Sequence, residues 1–313
     1  MYNLEQFFSA QPVIQPIPLT LITDSDKSLS FYILREDTLH THISGNKWHK
    51  LKENIYFATQ QGYQEIGSFG GFFSNHLHAL AYLGKLQNLK TIGVVRGQKP
   101  ITPNPTLTDC LSQEMKLIFA SRNDYKSTDF QQQLQKNNPQ TFWIPEGGNN
   151  DFGIKGCANW AQKIIASDSS FDYWLLASGT ACTAFGLWLG LYQQWQQGQK
   201  IIPNIISVSV LKGENTFSEA QLIFEKKESI HPSFIEKHRL KIMDGYHYGG
   251  FGKSSPVVNE IIKKYHESIN LPLDKVYTAK LLLAVEALAK KNFFKPCSKI
   301  LLIHTGGLQG NRI

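Results

Sequence analysis

The sequence predicts an α/β protein with two lobes, one inserted within the other, and three observations support this. Short β-branched runs alternate with amphipathic helical stretches along the chain, a pattern typical of parallel sheets covered by helices. Hydrophobic residues make up 42% of the chain and charged residues 18%, which is enough apolar material for a packed interior. The length of 313 residues suits one large or two modest domains.

The first half of the chain predicts one small parallel sheet with two helices. Leu51, Ile55 and Ala58 fall on one face of a helix predicted over 47–61, and a second helix is predicted over 74–83. Short apolar and β-branched runs predict strands at 31–35, 66–68, 91–95, 116–120 and 141–144. We expect the last four of these strands to form the small sheet.

The second half continues the alternation and predicts the larger lobe. Strands are predicted at 173–177, 205–210 and 301–304, and helices around 156–165 and from 183 onward. We assign residues 1–47 and 147–313 to a large domain and residues 48–146 to a small inserted domain.

Charge, cysteine spacing and hydropathy argue against several classes of protein. The net charge is +7, but no run of five or six like charges occurs, so we expect no nucleic-acid partner. Residues 173–192 carry no charge, yet their middle is too polar for a membrane span, and we expect a buried strand, a loop and a helix instead. The cysteines lack metal-ligand spacing and fit the reducing cytoplasm, so we expect no metal site; they are Cys110, Cys157, Cys182 and Cys297.

A glycine-containing turn between an apolar strand and an apolar helix is the strongest candidate for an anion site. It reads Ala177-Ser178-Gly179-Thr180-Ala181-Cys182-Thr183. Small residues let the backbone approach a phosphate, hydroxyl groups add donors, and a helix N-terminus favours negative charge. A tight strand-to-helix turn without a ligand explains the same residues equally well.

A second segment, from Gly70 to His76, brings Ser74, Asn75 and His76 to the start of a predicted helix. These side chains are suited to cradle a carboxylate, although a capping role for Ser74 alone is the simpler explanation. The histidine pairs in the chain lack a third ligand at metal-binding spacing.

Several motifs, taken together, resemble one enzyme family. They are Ile33 to Asp37, Ser44-Gly45-Asn46-Lys47-Trp48-His49-Lys50-Leu51, Ser74-Asn75-His76, Ile144 to Gly148, the glycine turn, Asp274 to Thr278, and His304 to Gly307. In this order they resemble the D-cysteine desulfhydrase and 1-aminocyclopropane-1-carboxylate (ACC) deaminase family over nearly the whole chain. The resemblance implies pyridoxal 5′-phosphate (PLP) as cofactor, the two-lobed fold type II (tryptophan synthase β-like) with parallel-sheet lobes flanked by helices, and a homodimer.

The resemblance also implies a role for each motif. Lys47 would form the Schiff base with PLP and, once released, act as the base at the substrate α-carbon, a task suited to a lysine whose pKa is lowered by partial burial. Lys50, one helical turn away, would lower that pKa further and attract the substrate carboxylate. The remaining implied roles are cofactor binding by Asn75, Gly179, Thr180, Ala181, Cys182, Thr183, Thr278 and Thr305, substrate binding by Ser74 and His76, and catalysis by Ser74 and Tyr277.

Two threonines favour one of the family's two chemistries. ACC deaminases carry glutamate directly after the active-site tyrosine and leucine before the final Gly-Gly, whereas this chain has Thr278 and Thr305 there. ACC has no α-hydrogen, so its ring opening needs a strong electron sink with a protonated pyridine nitrogen. We therefore expect a lyase that acts on a small amino acid, converting D-cysteine to pyruvate, ammonia and hydrogen sulfide.

Two alternatives stay open. One is ACC deaminase, a hydrolase that yields 2-oxobutyrate and ammonia, and the other is a PLP-binding, amino-acid-sensing protein with little turnover. The family's second tyrosine aligns with Phe251, Tyr246 or Tyr248, which leaves the exact substrate and its stereochemistry undecided.

Overall fold

Two parallel sheets form the two lobes in this computed structural model, which describes residues 13–24, 28–213, 217–250, 252–253 and 255–312. The strands are β1 (Ile14–Ile17), β2 (Ser30–Leu34), β3 (Glu65–Gly70), β4 (Lys90–Arg96), β5 (Lys116–Ala120), β6 (Thr141–Ile144), β7 (Tyr173–Ser178), β8 (Asn204–Ser209), β9 (Lys241–Met243) and β10 (Lys299–Ile303). The larger sheet has the order β1-β2-β10-β7-β8-β9, in which only β1 pairs in the antiparallel sense. The smaller sheet has the order β5-β4-β3-β6 and is entirely parallel.

The helices cover both sheets. They are α1 (Leu19–Ile22), α2 (Asn46–Gln60), α3 (Asn75–Leu86), α4 (Pro105–Ser112), α5 (Arg122–Lys126), α6 (Thr128–Asn137), α7 (Asp151–Ser167), α8 (Cys182–Gln196), α9 (Ser218–Lys227), α10 (Pro232–His238), α11 (Pro256–Ile269) and α12 (Thr278–Lys290). Short 3₁₀ turns occur at Glu36–Thr38, Glu146–Gly148 and Leu308–Asn311.

The predicted α/β architecture and the small parallel sheet are confirmed. The charge-free segment forms the buried strand β7 and the helix α8, and no helix in the described part of the chain is both long and apolar enough to cross a membrane. Ser74 caps α3 as predicted, since its hydroxyl accepts a hydrogen bond from the Leu77 amide. The domain boundaries at 47/48 and 146/147 stay a prediction.

Close packing of three helices holds the lobes together. Glycines allow α8 to lie against α7: a Cβ on Gly186 would come within 2.4 Å of the Cys157 Cβ. The same helix α7 lies against α2, because a Cβ on Gly156 would be 1.9 Å from the His49 carbonyl oxygen. This contact fixes the start of α2, which carries Lys47, relative to the start of α8, which follows the glycine turn.

Candidate active site

A cavity of about 760 Å³ lies between the two lobes, at the carboxyl ends of their strands, where α/β proteins commonly bind ligands. Its wall contains most of the residues proposed from the sequence: Lys47, Lys50, Ser74, Asn75, His76, Gly179, Thr180, Ala181, Thr183, Tyr277 and Thr305. Cys182 and Thr278 are buried and do not belong to this wall. Segments more than two hundred residues apart in the sequence therefore meet at one site.

Lys47 lies in the first turn of α2, with its amine on the cavity wall. The Nζ donates a hydrogen bond to Asn46 Oδ1 at 2.5 Å and lies 6.0 Å from the centre of the Tyr277 ring. Burial, followed by the nearby Lys50 cation, lowers the pKa of Lys47 to about 7. Near neutral pH a large fraction of this amine is thus uncharged and nucleophilic.

Two side-chain hydrogen bonds fix the N-terminal part of the helix that carries Lys47. The Asn46 amide donates to Thr183 Oγ1 at 2.8 Å, which ties α2 to the start of α8. The Lys50 ammonium is buried and donates to the Gly147 carbonyl at 3.0 Å. These contacts hold both lysines at the cavity and explain why the Lys50 charge acts on Lys47.

His49 is a structural residue that the sequence did not single out for a role. Its Nε2 lies 2.9 Å from the buried Glu36 carboxylate, and its ring stacks on Trp160 with centroids 4.2 Å apart. The Trp160 indole also donates to Glu36, at 3.0 Å. The Glu36, His49 and Trp160 side chains thus anchor the beginning of α2 to α7, which carries Trp160.

The N-terminus of α3 presents donors to the cavity, but the His76 ring is not free to be one of them. Ser68 Oγ donates to the Ile144 carbonyl at 2.8 Å, so His76 Nε2, 2.9 Å away, must donate to Ser68 Oγ. Burial, Lys47 and Lys50 hold the pKa of His76 well below its usual range, which leaves Nδ1 unprotonated and without a partner in the described residues. The donors at this end of α3 that are suited to a carboxylate are therefore backbone N–H groups of its first turn and the Ser74 hydroxyl.

The Asn75 amide is clamped at the edge of the cavity. Its Oδ1 accepts a hydrogen bond from the Gln309 side chain. Gly307 lies directly behind it, in a left-handed conformation with φ of 98°, and a Cβ there would be 2.6 Å from Asn75 Nδ2. Gln309, which the sequence analysis missed, therefore determines which way the amide group points.

The glycine turn forms a tight cradle opposite Lys47. A Cβ on Gly179 would be 3.2 Å from the Tyr277 hydroxyl, and one on Gly147 would be 3.2 Å from Thr180 Cγ2. Ala181 adopts the left-handed conformation, with φ of 57°, immediately before α8 begins. A strand-to-helix turn of this kind offers backbone N–H donors at a helix N-terminus, which are suited to an anion such as phosphate.

Tyr277 is positioned by a turn that the Asp274 side chain caps. The Asp274 carboxylate accepts hydrogen bonds from the backbone amides of residues 276–278 and from Thr278 Oγ1, at 2.7 to 2.9 Å. The Thr278 hydroxyl is engaged within this turn, and its assignment to the cofactor stays a prediction, as does that of Cys182. Burial raises the pKa of Tyr277, so its hydroxyl stays protonated at neutral pH.

The cavity is suited to a small phosphorylated aldehyde, because an amine that is partly neutral near pH 7 faces it from α2 and a phosphate cradle faces it from α8. Enzymes that use pyridoxal phosphate require this pair of features. The sequence matches the family described as "Pyridoxal-phosphate dependent enzyme" over residues 10–306, and the chain belongs to this family.

Relatives and a solved structure agree with this assignment. The chain is 27% identical to a putative 1-aminocyclopropane-1-carboxylate deaminase from Pyrococcus horikoshii, over 89% of this chain and 85% of the relative. It is 26% identical to a bifunctional D-cysteine desulfhydrase/1-aminocyclopropane-1-carboxylate deaminase from Arabidopsis thaliana, over 97% of this chain and 78% of the relative. A crystal structure of an ACC deaminase homologue superposes with a TM-score of 0.79 at 25% identity, covering 100% of this chain and 97% of the other. The fold is thus the fold type II that the sequence motifs implied.

The pKa of Lys47 predicts how cofactor uptake depends on pH. Cofactor-free protein should take up PLP progressively more slowly below pH 7, because the protonated amine is not a nucleophile. Lys50→Met removes a neighbouring cation, so the pKa of Lys47 should rise and the midpoint of the rate profile should move to higher pH. Stopped-flow absorbance measures the profile, and Lys52→Met, the same charge change on the same helix but away from the cavity wall, serves as control. A midpoint that does not move in Lys50→Met would contradict the electrostatic role of Lys50.

Proposed function

We propose that this PLP-dependent enzyme is a β-eliminating lyase whose main substrate is D-cysteine, which it converts with one water molecule to pyruvate, ammonia and hydrogen sulfide. The observation that carries the proposal is threonine at two positions, Thr305 on the cavity wall and Thr278, which stands directly after Tyr277 in place of glutamate. Both features are those that favour desulfhydrase chemistry over ring opening. A relative whose name includes both activities supports the wider pair of reactions.

The carboxylates near the cavity support the choice of a weaker electron sink. When bound, PLP supplies an aldehyde that captures amino groups and a ring that withdraws electrons from the α-carbon. Asp274 lines the cavity, but its oxygens already accept hydrogen bonds from its own turn. Glu146, the other carboxylate on the wall, is exposed. Without a committed carboxylate partner, proton removal followed by loss of a good leaving group is the easier reaction.

Different residues on the cavity wall are suited to the separate steps of the elimination. The Lys47 amine is poised to take the α-proton, since its pKa of about 7 matches the pH of the cell. Ser74 and the first-turn amides of α3 are suited to hold the α-carboxylate. The Tyr277 hydroxyl, protonated and adjacent to Gly179, is suited to donate a proton to the departing thiolate.

Three substrates test the proposal. Holoenzyme should form pyruvate and hydrogen sulfide in equal amounts from D-cysteine, little product from L-cysteine, and no 2-oxobutyrate from ACC. A clear yield of 2-oxobutyrate would instead support the deaminase, and no product from any of them would support the sensing protein. Lys47→Ala serves as the blank for non-enzymatic release of sulfide.

Two further parts of the proposal are the cellular location and the oligomeric state. Four free thiols support the cytoplasm as the location; they belong to Cys110, Cys157, Cys182 and Cys297.

We propose a homodimer, as the family resemblance implies. Sedimentation velocity of the holoenzyme should give twice the chain mass of 35.4 kDa. A single species at the chain mass would contradict the homodimer.

A further inference from the structure

Two arginines occupy the part of the cavity wall that belongs to the small sheet. Arg96 is the last residue of β4, and Arg122 is the first residue of α5. The parallel register pairs Arg96 with Ala120, so Arg122 stands only two residues beyond that partner. Parallel strands end at the same sheet edge, so the pairing brings both guanidinium groups to the cavity, where both residues line the wall.

Arg96 is held in place by aromatic stacking rather than by a carboxylate. Its Cζ lies 5.3 Å from the centre of the buried Tyr125 ring. One terminal nitrogen, Nη2, would be 3.8 Å from a Cβ on Gly71, which leads into the loop before α3. The guanidinium is therefore fixed on one side of the cavity, near Gly71, which precedes the helix cap Ser74 by three residues.

Neither arginine has an ion pair or a side-chain hydrogen bond to any residue that the structure describes. Arg96 is half-buried, so part of its five-donor fork is withdrawn from water without a protein acceptor. Glu146 lies near enough to raise the pKa of Tyr125, after the larger effect of burial, but makes no ion pair with either arginine. The arrangement suits an anion that enters from the cavity.

We infer that Arg96 and Arg122 bind a negatively charged group on the β-substituent of the substrate. Besides D-cysteine, the enzyme would then accept a second class of substrate, three-carbon amino acids whose β-leaving group is a phosphate, sulfate or thiosulfate. This inference deepens the proposed function, because it rests on β-elimination at the same site, but it assigns the leaving group an anionic oxygen-rich end.

The elimination balances for such a substrate. The α-proton passes to the Lys47 amine, and the Cβ–O bond of a phosphoserine breaks with its electron pair leaving on the phosphate oxygen. The resulting dehydroamino acid takes up one water and yields pyruvate and ammonia. No oxidant or reductant is required, and the products are pyruvate, ammonia and inorganic phosphate in equal amounts.

The positions of the two anion sites match a substrate with two charged ends. The carboxylate donors proposed above lie at Ser74 and the start of α3, and Arg96 Nη2 lies 3.8 Å from the position that a Cβ on Gly71 would take. Three residues of extended chain span at most about 10 Å, so both sites are within reach of one small molecule. D-Cysteine itself fills only the first of them.

Equilibrium binding of two unreactive probes to the holoenzyme tests the inference. D-2-Amino-4-phosphonobutyrate carries the distal anion and lacks a leaving group, and D-norvaline has a methyl group in place of the phosphonate. Calorimetry should give at least tenfold tighter binding of the phosphonate to the unaltered protein. Arg96→Gln and Arg122→Gln should each remove most of that difference while changing norvaline affinity less than twofold.

Controls separate this outcome from a folding defect and from the proposed function. Arg239→Gln removes an exposed charge away from the cavity and should change neither affinity, and Arg122 is itself exposed, so its loss should leave the fold intact. Equal binding of both probes, or an equal loss of both in Arg96→Gln, would overturn the inference, since Arg96 would then serve no distal anion. If the enzyme forms pyruvate from D-cysteine but binds both probes equally, only the inference about the two arginines is wrong. If it prefers the phosphonate but forms no pyruvate from D-cysteine, only the choice of D-cysteine as substrate is wrong.

Discussion

Lys47→Ala is expected to abolish the visible absorbance of lysine-bound cofactor and to lower kcat by on the order of 10³-fold or more. The reason is that one amine has two tasks, capture of the cofactor aldehyde and removal of the α-proton. Lys50, on the same helix, also lines the cavity, but its ammonium donates to the Gly147 carbonyl. Absorbance spectra and pyruvate release, measured on the same preparation, report the two tasks separately.

Lys163→Ala is the matched control for this variant. Lys163 is exposed on α7, away from the cavity wall, so its loss should change neither the spectrum nor the rate. If Lys47→Ala kept the visible band and more than a tenth of the activity, Lys47 would be neither the anchor of the cofactor nor the base.

Gly45→Ala is expected to destabilise the protein and to displace Lys47. Gly45 precedes α2 with φ of 65°, and a Cβ there would be 2.0 Å from the Thr305 carbonyl oxygen. Strain in the left-handed region and forced movement of the Thr305 backbone together should cost about 3 kcal/mol or more of the free energy of unfolding. Because Lys47 follows two residues later, cofactor absorbance should also fall.

Gly62→Ala provides a matched comparison, since Gly62 is also left-handed, with φ of 80°, but has nothing within 4 Å of the added Cβ. This variant should lose only about 1 to 2 kcal/mol and keep its spectrum. Urea unfolding followed by circular dichroism measures both losses. Equal losses in the two variants would show that contact with Thr305 does not fix the start of α2.

The sequence was informative wherever a local pattern decides the structure. The alternation of short strands and helices predicted both lobes, and Ser74 was recognised as a cap from its place before an apolar helix. The strands β1 and β9 were missed because they have four and three residues, too few to show a period. The lysine-rich helix α9 was missed because few of its residues are buried.

The parts of the site that depend on distant pairings could not be predicted. The indole of Trp160 bonds Glu36 across 124 positions, and Gln309 bonds Asn75 across 234. The two arginines come together only because β4 pairs with β5. The ring of His76 was expected to grip a carboxylate, and only its neighbour Ser68 shows that its N–H is already used.

The most direct test that Lys47 binds the cofactor is to reduce the holoenzyme with borohydride, digest it and locate the modified lysine by mass spectrometry. We predict a phosphopyridoxyl group on the peptide that contains Lys47 and on no other. A modified lysine elsewhere in the chain, or bound cofactor that reduction fails to attach to any lysine, would contradict the assignment on which the catalytic roles depend.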